Sequence, residues 1–240
     1  MADRAGSDSL HEQLQRICRE AAEMGTPLPP EIELARRLGV SRPMVREALV
    51  GLEAHGLVAR RAHQGTFPNV SAFSVALRID QSYELSKLLQ DAGFEVEVDV
   101  ISVEWSTVND VEAADLAVPT GSECLRVVKR WLGDGTPRIA AEDVIPARRR
   151  DDVVFDAEYS VFEIVEVLRG ESVEWESAKI GAVVPEGAWR EVLALDDARP
   201  ALSITLVGAS LHGTRLYRAH ELHLMDGVEY GMVRRAVRRG

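Results

Sequence analysis

Apolar positions near the N-terminus recur at helical spacing. Leu10, Leu14, Ile17, Cys18, Ala21 and Ala22 mark one face of an amphipathic helix over about 10–24. Gly25-Thr26-Pro27 stops it, and Pro29-Pro30 starts a short second helix patterned by Ile32, Leu34, Ala35 and Leu38 and ended by Gly39. Ser41 is a good N-cap and Pro43 suits a first turn, so a third helix is predicted to about His55, burying Val45, Ala48, Leu49 and Leu52 before Gly56. The residues that follow, Leu57–Arg61 and Thr66-Phe67, read as two strands around a turn containing Gln64-Gly65. Three helices and a hairpin make a winged helix-turn-helix over 1–70. Residues 71–78 read as a linker. A second domain is predicted over 79–240, with a helix around 82–92 and then strands alternating with short helices, an antiparallel-sheet α+β pattern.

The second domain repeats itself. Leu116 and Leu125 are spaced like Leu193 and Leu202, an offset of 77, and Gly135-Thr136 matches Gly213-Thr214, an offset of 78. Each unit reads as short helix, turn, strand, Gly-Thr turn, strand. Duplication predicts one antiparallel sheet with a pseudo-twofold between its halves.

Composition narrows the class. In 240 residues, 46% are hydrophobic and 28% charged, which excludes a disordered chain, a fibrous repeat and a disulfide scaffold. No apolar run approaches a membrane span, no signal-peptide core is present, and Cys18 and Cys124 lack metal or redox spacing. A cytoplasmic protein with free thiols and no cofactor is expected. The net charge of −11 argues against nucleic acid until it is resolved by region. Residues 1–70 hold nine Arg and nine acids, so all of the excess acid lies in 71–240. Within 34–67, six Arg face two Glu, a local basic surface of the kind nucleic acid needs.

The third helix would present its N-terminal end to a major groove. Arg42 and Arg46, four apart, share a face, so one reaches guanine while the other neutralises phosphate. Ser41 offers a hydroxyl. In the wing, Gly65 lets backbone approach a minor groove, His63 and Gln64 sit at the tip, and Arg60 and Arg61 supply charge or form a solvated strand edge. Leu28-Pro29, Glu33-Leu34-Ala35, Leu38-Gly39-Val40-Ser41-Arg42, Val45-Arg46, Ala48-Leu49, Leu52-Glu53, Gly56-Leu57 and Gly65-Thr66 fall in the order of turn, cap, core and wing positions. This segment resembles the winged-helix domain of GntR-family transcription regulators. The resemblance implies DNA contacts from Ser41, Arg42, Met44, Arg46, Arg60, Arg61, His63, Gln64, Gly65 and Thr66. It also marks a departure, because Ile32 stands where the family often has an operator-reading Arg.

Strand alternation in 216–224 puts Leu216, Arg218, His220, Leu222 and Leu224 on one face, which packs on helices, and Tyr217, Ala219, Glu221 and His223 on the other. By the repeat offset, Ile139, Ala141 and Asp143 take the corresponding face of their strand, and Lys129 and Trp131 share a face of the strand before it. A cation, an indole, a phenol, an acid and an imidazole suit a small polar or aromatic ligand. From about 79 onward the chain is similar to the UTRA domain of the HutC subfamily. Ser82-Tyr83, Asp91-Ala92-Gly93, Leu116…Pro119…Gly121, Asp134-Gly135 through Pro146, Ser160-Val161-Phe162 and Asp226 carry that likeness. It implies a chorismate-lyase-like fold that binds a small effector, dimerises and is not a catalyst. The effector-binding residues expected are Ser82, Tyr83, Lys129, Trp131, Ser160, Tyr217, Glu221 and His223. Sugar-phosphate-binding relatives have two Arg where Lys129 and Trp131 stand, so a less phosphate-like effector is expected, a partly aromatic metabolite or a carboxylate held at the helix N-termini of Ser82-Tyr83 and Ser160.

The expected partners are therefore a palindromic double-stranded DNA operator, a small-molecule effector and a second copy of the chain, with no membrane. Repression by a homodimer is the expected action. An effector-independent DNA-binding dimer and an enzyme of chorismate-lyase-like fold are the alternatives. The enzyme lacks support from any HExxH, GxSxG or Walker motif.

Overall fold

The computed structural model describes residues 10–61, 64–73, 75, 77–80, 84–150 and 153–234. They form two compact units. The first comprises the described residues up to Asp80 together with those from Tyr230 on, and the second those between.

In the first unit, helices α1 (Leu10–Met24), α2 (Glu31–Leu38) and α3 (Arg42–Ala54) precede a hairpin of β1 (Val58–Arg61) and β2 (Gly65–Pro68). The helix stops are local chemistry. Gly39 caps α2 at φ 66° and donates its N–H to the Ala35 carbonyl. Glu31 and Glu33 in the first turn of α2, and Arg36 and Arg37 in the last, complement the helix dipole. Leu14, Leu34, Val45, Leu49, Leu52 and Val58 close the core these elements share. The hairpin pairs Arg61 with Gly65, and Leu28 donates its backbone N–H to the Thr66 carbonyl, which ties the wing to the turn before α2.

The boundary departs from the sequence reading. Residues read as linker hold a short helix, α4 (Val70–Phe73), and a two-residue strand, β3 (Leu77–Arg78), that pairs in parallel with β10 (Tyr230–Gly231). Arg78 is buried, ion-paired with Asp80, and donates to the His55 carbonyl at the C-terminus of α3. A cation there satisfies an unpaired carbonyl and the helix dipole together. That anchoring places 77–80 and 230–234 in the first unit, and strands of two residues carry too little pattern to be seen in sequence.

The second unit contains α5 (Leu85–Asp91), β4 (Val96–Thr107), α6 (Asp110–Leu116), β5 (Glu123–Gly133), β6 (Thr136–Pro146), α7 (Val161–Arg169), β7 (Trp175–Val183), α8 (Ala188–Val192), β8 (Ala201–Ala209) and β9 (Arg215–Leu224). Its strands make one antiparallel six-stranded sheet of order β4-β5-β6-β9-β8-β7. That order reads the same from either end once each strand is matched to its repeat equivalent. The central pairing is centred on Glu142 opposite His220, two residues an offset of 78 apart. The pseudo-twofold expected from the repeat therefore passes between β6 and β9. One face carries α6 and α8, through Ala113 and Leu116 against Cys124 and Val144, and through Leu193 against Ala140, Leu222 and Leu224. Ion pairs fasten α6 to it, Arg126 to Glu112 at 3.0 Å and Arg218 to Asp115 at 3.1 Å. The other face carries α7, whose Ile164 and Val165 pack on Leu125, Val127, Tyr217 and Ala219.

Candidate functional site

On the first unit the candidate surface is the N-terminal half of α3 and the wing. The Ser41 hydroxyl accepts from the Met44 N–H and leaves its own proton free for another acceptor. Met44 is exposed. Arg42 and Arg46 project from the same face, with side chains 60% and 55% exposed. Both donate to Glu31 at the start of α2, Arg42 Nε to Oε2 at 3.1 Å and Arg46 Nη2 to Oε2 at 2.9 Å. These bonds hold the Glu31 carboxyl down to about 2. Glu31 was missed from sequence, because it lies 11 and 15 positions from its partners and only the α2–α3 crossing brings them together.

In the wing, Arg60 is spoken for. Its guanidinium pairs with Glu53 at 3.5 Å and donates to the Arg46 carbonyl at 3.2 Å. Arg61 lies over the Phe67 ring, Gln64 is exposed, and Gly65 holds φ 103°, which a side chain would strain. Thr66 is half-buried and Ile32 is 70% exposed beside α2's acidic turn. His63 lies outside the described residues.

On the second unit, sheet register brings together the residues named from alternation. Lys129 pairs with Ala141 and Ala141 with Glu221, while Trp131 pairs with Ile139 and Ile139 with His223. Asp143 and Tyr217 share that face. Lys129, Trp131, Asp143, Tyr217, Glu221 and His223 are all buried. Most have partners. The Lys129 amine donates to the Tyr159 carbonyl at 2.6 Å and lies 5.5 Å from the Trp131 ring centre, and burial pushes its pKa down. The Trp131 indole N–H donates to Ser86 Oγ at 3.1 Å. His223 Nε2 sits 2.9 Å from Glu221 Oε2. Tyr217 donates to Glu176, and burial followed by that carboxylate raises its phenol well above the ordinary value.

Glu176 was also missed. It lies two strands away, with Gly208 directly between it and Tyr217. A Cβ at Gly208 would stand 2.0 Å from the Tyr217 ring, so the glycine is what lets the phenol cross. A glycine inside a strand was the available signal. Asp143 was placed on this face by the repeat but given no role. Burial first, and then neighbouring Glu221, Glu142 and Glu176, push its carboxyl up to about 7 against the pull of Lys129.

Ser160 has another occupation. Its hydroxyl and backbone N–H both engage Glu163 in a capping box that ties down the first turn of α7. The chain's own carboxylate already sits where an external one was expected. Ser82 and Tyr83 lie outside the described residues. His220 is on the opposite face from His223, bonded to Ser203 Oγ at 3.1 Å and edge-on to Trp189. Among the described residues no group of three or more His, Cys, Asp or Glu could hold a metal ion, and no helix is long and apolar enough to cross a membrane.

Comparison with known proteins follows the same division. Residues 10–67 match the model of bacterial regulatory proteins, gntR family, and residues 91–229 match the UTRA domain. The chain is 27% identical over 157 residues to the HTH-type transcriptional regulator GmuR of Bacillus subtilis, covering 62% of this chain and 65% of GmuR. It is 25% identical over 189 residues to the HTH-type transcriptional regulator GgaR of Escherichia coli, covering 77% of this chain and 73% of GgaR. The chain thus spans just under two thirds of GmuR's length. In fold it is similar to the crystal structure of PhnF from Mycobacterium smegmatis, with a TM-score of 0.59 and 21% identity over 95% of this chain and 100% of that one.

Proposed function

The chain belongs to the GntR family of bacterial regulatory proteins and carries a UTRA domain, and from that premise we propose that it is a transcription regulator whose DNA affinity is set by a small molecule. The first unit reads DNA. The observation that carries this is the pair Arg42 and Arg46, exposed on one face of a capped α3 beside an arginine-bearing wing. One guanidinium serves guanine O6 and N7, and the other serves phosphate. Glu31 holds both arginines in advance and yields them when DNA supplies stronger partners. Met44 and the exposed Ile32 offer apolar contact, and Gln64, Gly65 and Thr66 bring the wing to the backbone.

The second unit senses the effector on the sheet face of Lys129, Trp131, Tyr217, Glu221 and His223. Desolvating that many polar side chains costs stability, which a purely architectural DNA-binding dimer would have no reason to bear. A homodimer on a palindromic operator, acting as a cytoplasmic repressor, completes the proposal, with effector binding favouring one of two states that differ in DNA affinity. The test is fluorescence anisotropy with DNA from the chain's own promoter region. Nanomolar binding that weakens steeply with salt supports the reading. Equal affinity for scrambled DNA overturns it.

A further inference from the structure

The duplicated sheet brings two acids to its centre and partners them differently. The offset of 78 carries Asp143 onto Glu221 and Ala141 onto Ala219, and the offset of 77 carries Lys129 onto Leu206. Because the central strands pair about Glu142 and His220, Asp143 and Glu221 stand diagonally across the pseudo-twofold on the same face. From that point the halves diverge. Glu221 is held by His223, and Glu176 by Tyr217. Asp143, only 4% exposed, has no hydrogen bond or ion pair from any described residue. Its neighbours across the sheet are Val127 and Ala219, and Ala141 stands two positions away on its own strand. None of these donates, and two carry only a methyl group.

The charges around Asp143 do not supply the missing partner. Lys129 faces it from β5 and attracts its charge, but no hydrogen bond joins the two, the amine donating instead to the Tyr159 carbonyl. Glu221 from β9 and Glu176 from β7 add negative charge, and Glu142 beside it on β6 adds more. Glu163 of α7 and Glu84 before α5 face Lys129 and draw on the same cation. A buried carboxylate among carboxylates is strongly unfavourable unless a cation or a donor arrives.

We infer that Asp143 receives a positively charged nitrogen of the effector, so that the ligand is an amine or amidine on a partly aromatic body and not a carboxylate or phosphate. This rests on the reading of the sheet face as the effector site. It follows that binding is pH-dependent. Because burial raises the Asp143 carboxyl to about 7, the ionised form that an ammonium needs is lost as the pH falls below that value, and affinity falls about tenfold for each further unit.

The experiment uses the full chain, titrated by calorimetry and thermal shift at pH 8 with 2-phenylethylamine, 2-phenylethanol and 3-phenylpropanoate, which share a ring and differ in charge. The amine is expected to bind at least tenfold tighter than the other two, to weaken between pH 7 and 6, and to lose at least tenfold in Asp143→Asn. Asp143→Glu, which keeps the charge, retains part of the affinity. Circular dichroism checks that both variants are folded. Tighter binding of the carboxylate, or unchanged amine binding in Asp143→Asn, overturns the inference and leaves the effector reading standing. If none of the probes, nor inorganic phosphate, binds or alters DNA affinity, the inference and the effector reading fall together.

Discussion

The two units handle charge in opposite ways. In the first, Arg42, Arg46 and Glu31 form their ion pairs in water, at the surface of helices whose apolar sides are already packed. Such pairs contribute little to stability and exchange partners readily, which suits the proposal that these arginines pass to DNA. In the second, Lys129, Asp143, Tyr217, Glu221 and His223 are taken out of water on the inner face of a sheet. There burial itself moves titrations, raising the Asp143 carboxyl to about 7 and the Tyr217 phenol well above its ordinary value even though Tyr217 has a partner in Glu176. The first unit thus keeps its charged chemistry on the outside, where arginines lower the Glu31 carboxyl, whereas the second hides it, where burial raises the Asp143 carboxyl.

The contrast can be broken most forcefully at Asp143. Its carboxyl titrates near 7 when folded against an ordinary 3.8, so between pH 4 and 7 the native state keeps a proton that the unfolded chain has released. Stability of the second unit should fall as the pH rises through that window. Asp143→Asn should remove the slope and be more stable than the parent at pH 8, by on the order of 4 kcal/mol in urea unfolding. An unchanged pH profile would refute the burial argument.

Next in size is Gly208→Val. The added side chain meets the Tyr217 ring and should cost about 3 kcal/mol, with loss of the Tyr217–Glu176 bond visible as a phenol that titrates nearer its ordinary value. DNA affinity of the folded fraction should be untouched. Arg46→Ala tests the other side. It should lower operator affinity by about 1–3 kcal/mol and reduce the salt slope by about 1 while leaving urea unfolding unchanged. The smallest effect is expected from Glu31→Gln. Stability should move by less than about 0.5 kcal/mol. Freed arginines should raise affinity for random DNA several-fold and narrow the gap between operator and random sequence. A wider gap would show that Glu31 opposes reading and does not prepare for it.

The same contrast explains what could be read along the chain. The first unit was legible almost element by element, since caps, glycine stops and helical periodicity act within a few residues. Ser41, Gly39 and Gly56 sit at or beside helix ends as expected. In the second unit the repeat alone foretold the mirrored strand order, and alternation put Lys129, Trp131, Glu221 and His223 on one face. Alternation says which face a residue takes but not which atom it meets. Glu176 reaching Tyr217 across Gly208, Ser160 occupied by Glu163, and β3 pairing with β10 were invisible for that reason.

What the sequence determined by itself is the local grammar: where helices begin and stop, which strand positions share a face, that the sheet is duplicated, and that the excess acid lies outside the reading unit. What only the tertiary structure decided is partnership. Glu31 is bound to Arg42 and Arg46 because two helices cross. Asp143 feels the charge of Lys129 but takes no hydrogen bond from it, the amine donating to the Tyr159 carbonyl, while Glu221, its repeat equivalent, gains His223. Hydrogen bonds and desolvation depend on distances of a few ångströms between residues far apart in the chain, and no periodicity encodes those.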